Sequence, residues 1–150
     1  MWAYWLLFLV PAGIAVSPIR GDKYIQYMLW AMVGLLGILL IGLRYDVGGD
    51  WDPYLLDLQD AQRASSDLRN ITNSPLYVFV NVVALRLGLG MGLGIYFVNL
   101  VCGALLMVGL TKYCQKQPMP WMALTVAIPY LVCIVGMGYT RQAVALGFLL

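Results

Sequence analysis

From Met28 to Leu43 the chain carries no charged side chain, and Arg44, Asp46, Asp50 and Asp52 then follow in quick succession. Water gives no reason to withhold charge for so long. A bilayer does, because a charge at its centre costs about 2.5–3.5 kcal/mol. Comparable apolar runs lie at 2–18, 27–43, 75–88, 94–111 and 120–138, and a sixth opens near Tyr139. In hydrocarbon each segment must satisfy its own backbone, so such runs are read as helices. Only 11% of residues are charged against 62% hydrophobic, where soluble domains carry about 25% charged. The expected fold is therefore an all-α integral membrane protein, a polytopic helical bundle with interfacial amphipathic helices after the second span. No linker or low-complexity tract interrupts the runs, so 1–150 reads as a single transmembrane domain. The final run, Ala143 to Leu150, is shorter than the roughly 20 residues a span needs. The chain is accordingly expected to be the N-terminal part of a longer protein.

Composition excludes several kinds of chemistry. The formal charge of +2 is too small to attract nucleic acid. There is no His, the commonest general base and metal ligand. Asp46, Asp50 and Asp52 could meet a divalent cation, but without His or Glu the ligand set is weak, so neither metal nor cofactor is expected. Cys102, Cys114 and Cys133 form no C-x-x-C pair and read as small packing residues. Met1 to Val16 lacks the basic start of a signal peptide and reads as a retained span.

Lys and Arg in short loops favour the cytoplasm. Residues 19–24 hold Arg20 and Lys23, and 112–117 holds Lys112 and Lys116, so both loops are expected inside. Segment 44–70 holds three Arg and six Asp, 3 − 6 = −3, and is expected outside, with the N-terminus. An odd number of spans must then lie between 70 and 112. At 1.5 Å per residue, 75–88 reaches only about 21 Å against a core near 30 Å. It is expected to be interfacial or half-inserted, with 94–111 crossing and the glycines from Gly88 to Gly94 as the hinge between them. The same parity returns Tyr139 to Gln142 to the outer side, beside segment 44–54.

That segment carries the candidate site. Gly48 and Gly49 permit close backbone approach to a ligand, and Asp46, Asp50 and Asp52 would share one face if extended. Pro53 disfavours helix at Asp52, so a turn is expected before a helix from Pro53 on. From Tyr54, apolar and polar residues alternate as in a surface-lying amphipathic helix, with Asp57, Asp60 and Asp67 on its solvated face. Asp50 is expected to orient or deprotonate an acceptor hydroxyl, and Arg44 and Arg141 to pair with a diphosphate through their guanidinium forks. Arg141-Gln142 interrupts apolar sequence on both sides, and a charge so placed faces a cavity or partner.

Taken in order, Arg44 at a span end, then Gly48, Asp50 and Tyr54, then Arg141-Gln142 opening a later span, resemble the EpsG family. Pro75-Leu-Tyr and the basic stretch from Lys112 to Lys116 fit the same pattern, although Ser74 stands where the family usually has Glu. The resemblance implies a multi-pass protein of the bacterial inner (cytoplasmic) membrane. It also implies polysaccharide polymerase-type glycosyl transfer, joining undecaprenyl-diphosphate-linked oligosaccharide repeats at the outer face. Asp50 and Arg141 would be catalytic, and Arg44, Gly48, Gly49, Tyr54 and Gln142 substrate-binding. Membrane lipid, the lipid-linked glycan and other polysaccharide assembly proteins would be its partners. The competing reading is a transporter or non-catalytic membrane component of a polysaccharide export complex.

Overall fold

The computed structural model describes residues 2–17, 22–47, 51–63 and 75–150, and all regular structure within them is helical. The helices are α1 (Trp2–Val16), α2 (Lys23–Gly42), α3 (Trp51–Arg63), α4 (Pro75–Arg86), α5 (Gly90–Gln115), α6 (Pro120–Ala127) and α7 (Thr140–Leu149). Between α6 and α7 the chain continues as a π-helix, Ile128–Gly136. Among the described residues two helices, α2 and α5, are long and apolar enough to cross a membrane.

Each boundary has a local cause. The Asp22 carboxylate accepts a hydrogen bond from the Tyr24 amide at 2.9 Å, which starts α2 well before its apolar run. Helix α3 begins at Trp51, two residues before Pro53. This corrects the expectation of a turn there, because a proline in the first turn displaces no intrahelical hydrogen bond. Asp46 lies at φ +48° and Asp52 within α3, so these carboxylates do not share an extended face. Gly88 and Gly90, at φ 71° and 63°, make the expected turn between α4 and α5. Helix α5 then starts at Gly90 rather than Gly94. Pro129 has no N–H to donate and its ring excludes the carbonyl of Thr125, and the helix widens there into its π-form.

Helix α5 is the central post, and small residues let its neighbours close on it. Gly42 faces Leu100, Gly103 faces Ile41 and Gly37 faces Met107, so α2 runs antiparallel to α5. Gly109 and Gly147 meet backbone to backbone, and Gly147 also lies on Leu105. These contacts carry α7 along α5, since small residues let helix backbones approach closely. Trp121 lies on Trp30 and Gln26, whereas Gly136 lies near Ile41 and Arg44, so α6 and the π-helix run parallel to α2.

Two apolar clusters divide the post. Leu106, Met107, Leu110 and Cys114 pack with α1, α2, α6 and the π-helix. Ile95, Val98 and Cys102 pack with Tyr54 and Leu58 of α3, Tyr77, Val80 and Ala84 of α4, and Val144 of α7. Helix α4, twelve residues long, reaches about 18 Å at the helical rise, short of a crossing. The three cysteines are free, with Cys102 and Cys114 buried, in line with packing roles.

Candidate functional site

Where α3 and α4 close over the Gly90 half of α5, the first turn of α7 delivers Arg141. Its Nη2 donates to Asp57 Oδ2 in an ion pair. Its guanidinium carbon sits 5.7 Å from the Tyr54 ring centre and 5.4 Å from that of Tyr77. The two rings lie 5.5 Å apart at 50°, so they present faces on which a planar cation is held. The ion pair is about one-third exposed, 38% for Arg141 and 34% for Asp57. It is thus open enough to exchange partners. Arg141 Nε, by contrast, is buried and makes no hydrogen bond.

The end of α7 adds to this charge. Its first backbone bond inside the turn runs from the Ala143 amide to Tyr139 O, and Tyr139 supplies no side-chain cap. The amides of Thr140, Arg141 and Gln142 therefore point from the positive end of the helix dipole. An anion placed on Arg141 would meet both kinds of donor.

Arg44 lies beneath, only 6% exposed, with Nη1 donating a long 3.5 Å hydrogen bond to Gly136 O. Burial lowers its pKa, and the nearby Tyr54, Tyr77 and Cys102 oppose that effect. The contact ties the exit of α2 to the turn that leads into Arg141. Several buried polar atoms of this half of the bundle have no hydrogen-bond partner: Arg44 Nε, Asn81 Oδ1, both side-chain polar atoms of Asn99, and Thr140 Oγ1. The Tyr77 hydroxyl is near the Asn81 side chain without a well-formed bond to it. Since Gly147 lies on Leu105 and Leu106 and α7 runs alongside α5, Thr140, seven residues back on α7, comes to the level of Val98 and Asn99.

Of the residues singled out from sequence, the structure brings Tyr54 and Arg141 into contact and sets Arg44 within electrostatic range of Tyr54. Gln142 is exposed in the first turn of α7 and touches none of these groups through a hydrogen bond. Gly48, Gly49 and Asp50 lie outside the described residues. Asp57 was expected on a solvated face and is instead the partner of Arg141. The spacing places Asp57 beside the packed face but does not reveal its partner. Tyr54 and Leu58 are buried, and Asp57 stands three residues from one and next to the other, at the edge of the packed face.

No curated protein and no solved structure matches the chain. The model of the EpsG family matches residues 27–150, which include every described residue of the site. With that match over most of its length, this chain belongs to the EpsG family.

Proposed function

We propose that the protein is a multi-pass component of the bacterial inner membrane that carries out polymerase-type glycosyl transfer. It joins oligosaccharide repeats carried on undecaprenyl diphosphate, at the outer face. The observation that carries this reading is the Arg141 guanidinium, accessible and held on Tyr54 and Tyr77 at the positive end of α7. Such a group suits an oxyanion of the phosphate type. The alternating directions of α2, α5 and α6 with its π-helix support a multi-pass arrangement, with Lys112 and Lys116 at the opposite end from Arg141.

In the transfer, a hydroxyl of one repeat displaces lipid diphosphate from the anomeric carbon of another. Charge builds up on the departing diphosphate, and a guanidinium fixed in advance stabilises it. Arg141 makes that contact. Arg44 adds positive potential from below and holds the Gly136 turn ahead of Arg141. Asp50 is the carboxylate that the sequence nominates to orient the acceptor hydroxyl.

The test is Arg141→Ala in cells that make the polymer. The expected result is loss of chain extension, with single repeats left on lipid, and Asp50→Asn is expected to act in the same direction. A normal length distribution in both variants would end this reading. Full-length polymer retained inside the cell would favour the transporter or scaffold reading instead.

A further inference from the structure

We propose that Asp57 is the general base of the transfer, held inactive by Arg141 until the donor's diphosphate displaces it. The inference rests on the polymerase reading above. Among the described residues, Asp22 caps α2 and Asp46 and Asp52 are exposed, while Asp57 is the carboxylate in contact with Arg141.

The argument is one of shared donors. A guanidinium offers its N–H groups along defined edges. Arg141 Nε is buried, which leaves the Nη side as the accessible edge, and Asp57 already occupies Nη2. A phosphate oxygen arriving at Arg141 therefore meets Asp57 on the same edge, at Nη2 or beside it at Nη1. Two anions cannot share that edge without repulsion, and a diphosphate, with its greater charge and several oxygens, is the stronger partner. The Tyr54 and Tyr77 faces keep the guanidinium in place during the exchange.

A carboxylate oxygen engaged by a guanidinium N–H is not free to receive a hydroxyl proton. Once displaced, Asp57 remains beside the site on α3 with that oxygen free. The acceptor hydroxyl oxygen then forms a bond to the anomeric carbon. The bond from that carbon to the phosphate oxygen breaks, and its electron pair leaves with the diphosphate on Arg141. The hydroxyl proton passes to Asp57, and from there to solvent. The base is thus released only when a donor is bound.

The test uses the full protein reconstituted in vesicles, with a polyprenyl-diphosphate-linked oligosaccharide repeat as substrate. Asp57→Ala is expected to lose turnover about 10²-fold or more while binding the donor at least as tightly as wild type. Added formate, a small carboxylate, is expected to restore turnover to Asp57→Ala. A purely structural role would not give that rescue. Should Asp57→Ala fail to fold, the near-isosteric Asp57→Asn is expected to bind donor and remain inactive. Wild-type turnover in either variant, weakened donor binding, or a folded Asp57→Ala that formate does not rescue would overturn the proposal. Rescue of Asp50→Ala in its place would do the same. Donor binding that survives Arg141→Ala would instead count against the diphosphate reading on which this one rests.

Discussion

At the Lys112 end of α5, Trp121 stacks on Trp30 at 4.1 Å and 18°, and its Nε1 donates to Gln26 Oε1 at 2.9 Å. Thr111 and Thr125 nearby give their hydroxyls to carbonyls one turn back. At the Gly90 end the polar groups are more numerous and worse served. Among the described residues, every buried side-chain nitrogen or oxygen without a hydrogen bond belongs to that end, on Arg44, Tyr77, Asn81, Asn99, Thr140 and Arg141. A buried polar group left unmade costs about 1–3 kcal/mol. One end of the post is therefore built for stability, and the other keeps costly groups whose use lies outside the fold. The difference follows a known pattern, in which strained or unsatisfied groups gather at functional sites.

The comparison can be broken first at Arg141. Arg141→Ala is expected to lower transfer by about 10²–10³-fold, the usual cost of removing one preorganised donor. Because the side chain is partly exposed, the melting temperature in detergent should hardly change, and a large drop would make Arg141 a structural residue. Next comes Trp121→Ala at the other end, expected to cost about 3 kcal/mol of stability. Activity per folded molecule should stay at the wild-type level. A selective loss of activity would erase the contrast between the ends. Arg44→Met removes a buried cation and its tie to Gly136 O. It is expected to leave stability near neutral, since buried charges are often replaceable by apolar residues. Turnover should fall about tenfold, roughly 1.4 kcal/mol, as the turn before Arg141 loosens. The smallest effect is expected at Asn99→Leu, which removes two unpartnered polar atoms and should stabilise the protein by about 1 kcal/mol. Thermal denaturation reads it directly, and destabilisation would show that Asn99 is satisfied in the membrane.

Much of the fold was legible in the chain because the bilayer enforces a simple rule. Apolar runs become helices, and α1, α2, α4, α5, α6 with its π-helix, and α7 each fall on one. The Gly88 turn followed from glycine spacing. Counting Lys and Arg brought Arg141 to the segment after α2, and the structure sets it against Tyr54 and Asp57 of α3. Helix starts were less legible. Asp22 capping and the tolerance for Pro53 in a first turn are decided by single hydrogen bonds, not by periodicity. The widening at Pro129 leaves no periodic trace either. Asp57 was misread because a carboxylate on an amphipathic helix is ordinarily solvated. Its partner lies 84 residues away, and a pairing so distant depends on how α7 docks on α5, which local pattern does not encode.

The most direct test of the contrast is the affinity of the reconstituted protein for polyprenyl diphosphate without sugar, measured for wild type, Arg141→Ala and Trp121→Ala. The account predicts at least a tenfold loss in Arg141→Ala and wild-type affinity in Trp121→Ala. Equal affinity in wild type and Arg141→Ala would contradict it.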